Sequence, residues 1–139
     1  MTTARRPMSR GRKVTIGAAV VLLVGCLLPW YTFVGDLPQI PFRAFDGSGV
    51  LAFVAALATL ALVALPYAAG ERRVSADRWL PHAMLTGLAM LGVLLWPFNF
   101  LDRPAGLLPD RALGYWLAVA GTTGLAWAAR DIAREPTGR

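Results

Sequence analysis

The 139-residue sequence holds one cysteine, Cys26, one histidine, His82, and one lysine, Lys13. Each shortage removes a class of chemistry. A lone thiol cannot form a disulfide within the chain or supply the cysteine pair that dithiol exchange requires. A lone imidazole cannot provide the two axial ligands of a bis-histidine haem, and the composition points to no cofactor and no metal centre. Charge is absent where it would matter most. Four stretches, Val14 to Gly35, Gly47 to Gly70, Trp79 to Leu101 and Ala112 to Ala129, contain no Asp, Glu, Lys or Arg. Proton-coupled pumps and ion pathways usually carry an ionisable group inside the membrane, and none is offered here. A serine protease within the membrane needs Ser and His within hydrogen-bond reach, whereas Ser48 and His82 open successive stretches and are expected on opposite sides of the membrane, Ser48 outside and His82 inside.

The stretches themselves are the main positive signal. A hydrocarbon core about 30 Å thick takes roughly 20 apolar residues at about 1.5 Å rise each, and all four runs are near that length. The sequence is 56% hydrophobic, with a mean hydropathy of +0.52. It predicts an all-α membrane protein with four transmembrane helices. Residues 1–13 form a basic arm, residues 14–129 a four-helix domain with spans at 14–35, 47–70, 79–101 and 112–129, and residues 130–139 a tail.

The cations are placed asymmetrically. Arg5, Arg6, Arg10, Arg12 and Lys13 precede the first span, Arg72, Arg73 and Arg78 separate the second from the third, and Arg130, Arg134 and Arg139 follow the fourth. The opposite side has Arg43, Arg103 and Arg111, offset by Asp36, Asp46, Asp102 and Asp110. The positive-inside rule therefore puts both termini in the cytoplasm. The formal charge of +6 reads as a topology signal meeting anionic head groups rather than nucleic acid.

Trp and Tyr favour the head-group level, and all five Trp fall near span ends. Trp30, Trp96 and Trp116 mark the outer interface, and Trp79 and Trp127, with Tyr67, the inner one. Eleven of the 14 aromatics lie in or near the outer half, including Tyr31, Phe42 and Tyr115. The first outer loop, Gly35 to Phe42, carries Pro38 and Pro41 and cannot run as an ordinary helix. Asp46-Gly47-Ser48-Gly49 reads as a turn, with Asp46 or Ser48 accepting free amides at the start of the second span.

Gly25 to Phe33 lines up with Gly92 to Phe100, and Arg43-Ala44-Phe45 with Arg111-Ala112-Leu113. The match is either two duplicated helical hairpins in parallel orientation or a chance alignment of apolar runs. Ala120, Gly124 and Ala128 on the fourth span and Ala52 and Ala56 on the second offer packing stripes, since helices in lipid associate by close approach. His82 reads as an interfacial anchor, and Asn99 as an interhelical hydrogen-bonding group. Pro29, Pro66 and Pro97 sit near span ends, where a helix loses few hydrogen bonds to proline.

Small multidrug transporters are similar in outline but carry a carboxylate in the first helix, which this chain lacks. CDP-alcohol phosphotransferases carry further aspartates after a DG pair, and Asp46-Gly47 stands alone. Leu23-Val24-Gly25-Cys26 resembles the lipobox of bacterial lipoproteins, yet the run continues apolar to Val34, which favours an uncleaved helix. Through Leu28-Pro29-Trp30-Tyr31 the chain resembles small four-span bacterial integral membrane proteins whose first helix closes on that segment. The resemblance names no activity; the dominance of Ala, Leu, Gly, Val and Arg with a single lysine fits a high-GC bacterial coding bias, which would place the protein in a plasma membrane.

The reading these features favour is a non-enzymatic accessory, assembly or lipid-interacting subunit, with membrane lipids and either a membrane-protein partner or further copies of itself as partners. Its candidate outer-face surface comprises Trp30, Tyr31, Asp36, Phe42, Asp46, Trp96, Asn99, Asp102, Arg103 and Trp116. Two alternatives stand beside it. One is a small oligomeric transporter or channel lined at its entrance by Asn99, Thr32 and the outer aspartates. The other is a lipid-processing enzyme using Asp36, Asp46, Asp102 and Arg103.

Overall fold

In a computed structural model, which describes residues 9–32, 41–68, 79–100 and 113–134, four α-helices pack as an antiparallel ring. They are α1 (Arg10–Leu27), α2 (Gly49–Ala68), α3 (Trp79–Leu95) and α4 (Leu113–Arg134). Each helix packs on its neighbours in chain order, and α4 closes the ring against α1 through the most extensive interface. Two short 3-10 turns, Ala44–Asp46 and Pro97–Phe100, precede α2 and follow α3.

The ends of the helices follow from local chemistry. Ser9, in extended geometry, caps α1. The helix stops at Leu27 because Pro29 lacks an amide hydrogen and forces the residue before it out of the helical region; Leu28 has φ −82° and ψ 158°. The expected first span to Gly35 is therefore corrected: the helix ends at Leu27, and residues 33–35 lie outside the described residues. Tyr31–Thr32 (β1) pairs antiparallel with Pro41–Phe42 (β2), Tyr31 opposite Phe42, and the Trp30 amide donates to the Phe42 carbonyl at 2.8 Å. The third span is also shorter as α-helix than 79–101, because after Leu95 the chain tightens into the turn containing Pro97. The fourth helix runs beyond Ala129 to Arg134, since a helix continues into its charged end without needing apolar side chains. Pro66 falls in the last turn of α2, where it leaves the helix intact.

The α1–α4 interface is built on small residues. Gly25 lies over the Ala118 backbone, Gly121 over Leu22 and Gly124 over Ala18, which fixes an antiparallel register. At Gly114 an added Cβ would lie 2.6 Å from the Leu28 carbonyl oxygen and 2.7 Å from that of Pro29, so the two backbones touch where α1 ends. The Gly114 amide donates to the Pro29 carbonyl at 3.1 Å, which satisfies one free amide at the start of α4. A similar contact joins α2 and α3, where Gly92 faces the Ala52 amide.

The inside is richer in small residues than the outside, although Leu22, Val63, Val93, Leu125 and Cys26 are buried as well. Ala18, Ala19, Ala52, Ala55, Ala56, Ala89, Ala118 and Ala128 are buried, together with Thr15, Thr59, Thr86 and Thr122. Each of these threonines returns its hydroxyl to a carbonyl four residues back on its own helix, at 2.7 to 2.9 Å. The outward faces carry Val20, Val21, Val24, Leu27, Val54, Leu57, Leu65, Met84, Met90, Leu91 and Leu94. By length and apolarity alone, α2 is the one helix among the described residues that qualifies to cross a membrane; α3 is apolar but 17 residues long.

Candidate functional site at the aromatic end

The C-terminal ends of α1 and α3 and the N-terminal ends of α2 and α4 meet at one end of the ring. The reversal after Pro29 turns Trp30 inward, where it is fully buried. Its indole Nε1 donates to the Gly25 carbonyl at 2.8 Å. That carbonyl is among the last of α1, which have no intrahelical partners. The Trp30 ring meets Trp96 at 5.3 Å and Tyr115 at 5.5 Å between centroids, both edge to face, and Trp96 and Tyr115 are 6.0 Å apart. Such geometry aligns the positive edge of one ring with the negative face of another. The Tyr115 hydroxyl reaches the Val93 carbonyl at 3.5 Å, tying α4 to α3.

Around this knot the polar groups are engaged in holding the fold. The Ser48 hydroxyl donates to the Gly92 carbonyl at 3.1 Å and so bridges α2 to α3. Asp46 accepts the Arg43 amide at 2.6 Å and closes its own 3-10 turn. Neither side chain caps the first amides of α2; those of Val50 and Leu51 go to the carbonyls of Gly47 and Ser48.

The candidate surface divides accordingly. Trp30, Tyr31 and Trp96 are buried and join elements within the chain, so they do not form an outward face. The tight turn at Pro29 and the small residues around it draw them in. Phe42 is half-buried against the Tyr31 ring, 6.4 Å away, and Asp46 and Trp116 are exposed. Asn99 belongs to the Pro97–Phe100 turn, and its side chain lies outside the described residues, as do Asp36, Asp102 and Arg103 altogether. Among the described residues, the large apolar side chains exposed at this end include Phe45, Phe98, Leu113 and Trp116. Sequence reasoning left Tyr115 and Ser48 off the candidate surface, and both prove to join helices. The neighbouring glycines Gly114 and Gly92, which permit backbone contact, were the available signal for them.

The opposite end is different in kind. There Tyr67, Trp79 and Trp127 are exposed at the ends of α2, α3 and α4. His82 is buried in the first turns of α3 instead of standing at the surface as an anchor. Among the described residues this end has Arg10, Arg12, Lys13, Arg130 and Arg134 against Asp131, whereas the aromatic end has Arg43 and Asp46. No group of three or more His, Cys, Asp or Glu gathers among the described residues.

Comparison with protein-family models, with curated proteins and with solved structures finds no match for this chain.

Proposed function

We propose that the chain is a four-span integral membrane protein of a bacterial plasma membrane, with both termini cytoplasmic. In this reading it is a non-catalytic accessory or assembly subunit that works through contacts with lipid and neighbouring proteins. The observation that carries the reading is the exchange of composition between inside and outside. Valine, leucine and methionine dominate the exposed faces, while alanine, glycine and self-bonded threonine make up much of the interior between the aromatic knot and a few larger residues such as Leu22 and Leu125. In water this arrangement would waste the larger side chains, which are the ones that gain most from burial. In lipid, where tails are as apolar as leucine, helices gain by bringing small residues and backbones together.

Two further features support it. Exposed aromatic residues stand at both ends, Trp116 at one and Tyr67, Trp79 and Trp127 at the other, as interfacial belts require. Described cations collect at the end that the positive-inside rule assigns to the cytoplasm. The non-catalytic part rests on the engagement of Ser48, Asp46 and Tyr115 in fold-holding hydrogen bonds.

Topology labelling tests it. In a Cys26→Ala background, a membrane-impermeant thiol reagent labels Phe45→Cys in intact spheroplasts and labels Ser9→Cys only after permeabilisation. Equal labelling of both without permeabilisation, or extraction of the protein by alkaline carbonate, overturns the reading.

A further inference from the structure

The described charges are concentrated on one helix pair. Gly25, Gly121 and Gly124 set α1 and α4 antiparallel, with Ala18 beside Gly124 and Leu22 beside Gly121. Continuing that register toward the start of α1 brings its first turns level with the last turns of α4. Gly11 and Thr15 on one side and Leu125 and Ala128 on the other are buried along this continuation. Arg10 and Lys13 thus share a level with Arg130 and Arg134, and all four are exposed. Arg12 lies between the first two, half-buried, and Asp131 is the one described carboxylate at this end. The first turn of α1 has no acidic residue, so the positive end of its dipole adds to the cations instead of offsetting them.

A second pattern runs down the outer side of α4. Trp116, Ala120, Thr123, Trp127, Arg130 and Arg134 are all exposed, at alternating steps of four and three residues, and therefore form one stripe. It presents an exposed indole at each end, two small side chains between them, and two guanidinium groups beyond Trp127. The Thr123 hydroxyl is bonded to the Val119 carbonyl at 2.9 Å, so the middle of the stripe is apolar in effect.

We propose that the α1–α4 pair binds the head group of an anionic phospholipid from the cytoplasmic leaflet. Arg130 and Arg134 hold the phosphate with Arg10 and Lys13 alongside, Trp127 packs at the glycerol level, and an acyl chain lies over Ala120 and Thr123. Charge complementarity selects the occupant. A second copy of the chain would place like charges against one another at this level, whereas an anionic lipid supplies both the negative charge that Asp131 alone provides among the described residues here and a tail of suitable polarity for the stripe. Guanidinium groups suit phosphate because they donate two hydrogen bonds in a planar fork. The proposal rests on the membrane-embedded reading above and adds the lipid class and the residues.

The test uses the full chain reconstituted in phosphatidylcholine bilayers carrying trace spin-labelled phosphatidylglycerol or phosphatidylcholine, with electron spin resonance reporting the motionally restricted fraction. Selective restriction of phosphatidylglycerol is expected, falling about five-fold for each cation removed in Arg130→Gln and Arg134→Gln, as the surface attraction per basic residue implies. Arg43→Gln, at the other end, leaves the selectivity in place. Equal restriction of both lipids by a protein that resists carbonate extraction overturns the proposal and leaves the membrane reading standing. A protein that does not insert overturns both. Selectivity retained by the double variant, or abolished by added inorganic phosphate or an oligonucleotide, also overturns the lipid assignment.

Discussion

Trp30 shows how one residue can be read correctly for chemistry and wrongly for place. An indole near the end of an apolar run belongs at an interface by every compositional argument. Pro29 instead ends α1 early and turns the ring under the Phe42 strand, where it meets Trp96 and Tyr115. Trp30→Ala removes both ring contacts and leaves the Gly25 carbonyl without its donor. The expected loss is about 3 kcal/mol, the low end for a buried tryptophan, because in the membrane-embedded reading proposed above unfolding would not return the ring to water. Trp30→Phe keeps a ring and loses mainly the hydrogen bond, a loss of about 1 kcal/mol. Reversible unfolding of the two variants in mixed micelles separates the contributions; equal losses would refute the assignment of most of the energy to the rings. Cys26 gives a second residue-scale test, being buried within α1. Its thiol should resist maleimide in the folded bundle and react on unfolding, while rapid labelling of the folded protein would mean that α1 does not pack as described.

At the scale of the element, glycine position decides between stability and damage. Gly17 and Gly87 have nothing within 4 Å of where a Cβ would lie, whereas Gly114 and Gly121 have backbone or Cβ atoms within 2.7 Å. Alanine at either of the first two should be neutral or stabilising by up to about 1 kcal/mol, through helix propensity alone. Alanine at either of the second two forces α1 and α4 apart and should be destabilising by roughly 1 to 3 kcal/mol. Thermal unfolding of the four single variants checks the division, and a uniform response would disprove it. The existence and order of the helices were legible because long uncharged runs carry a strong signal. Their ends were less so. Apolarity continues past Leu27, but Pro29 overrides it; apolarity stops at Ala129, but α4 continues. The two-residue pairing of Tyr31–Thr32 with Pro41–Phe42 is too short to have a period, so no alternation could announce it. The candidate surface was legible as a cluster of aromatics, while which of them turn inward depends on backbone approach at Gly25 and Gly114, a property of two helices together.

The whole molecule raises a question of thickness. The 20 residues of α2 rise about 30 Å, matching an average hydrocarbon core. The 17 residues of α3 rise only about 25 Å. The Pro97–Phe100 turn that follows would add at most about 8 Å at the steeper 3-10 rise, for a combined reach of no more than about 33 Å. The exposed Phe98 in that added turn and Trp79 at the far end would then stand near the two head-group levels. In the membrane-embedded reading proposed above, the Pro97–Phe100 turn, whose backbone hydrogen bonding is poorer than an α-helix's, already completes the crossing begun by α3, and a thicker bilayer would draw more of it into hydrocarbon. Stability should therefore be greatest in phosphatidylcholine bilayers with 14- to 16-carbon chains and should fall as chains lengthen to about 20 carbons or more, by fractions of a kcal/mol per Å of mismatch. Unfolding measured across a chain-length series checks this, with Trp30→Ala as a partner. Loosening the knot that anchors the Pro97–Phe100 turn through Trp96 should steepen the dependence, and a variant with the wild-type slope would show that the turn is held by other contacts.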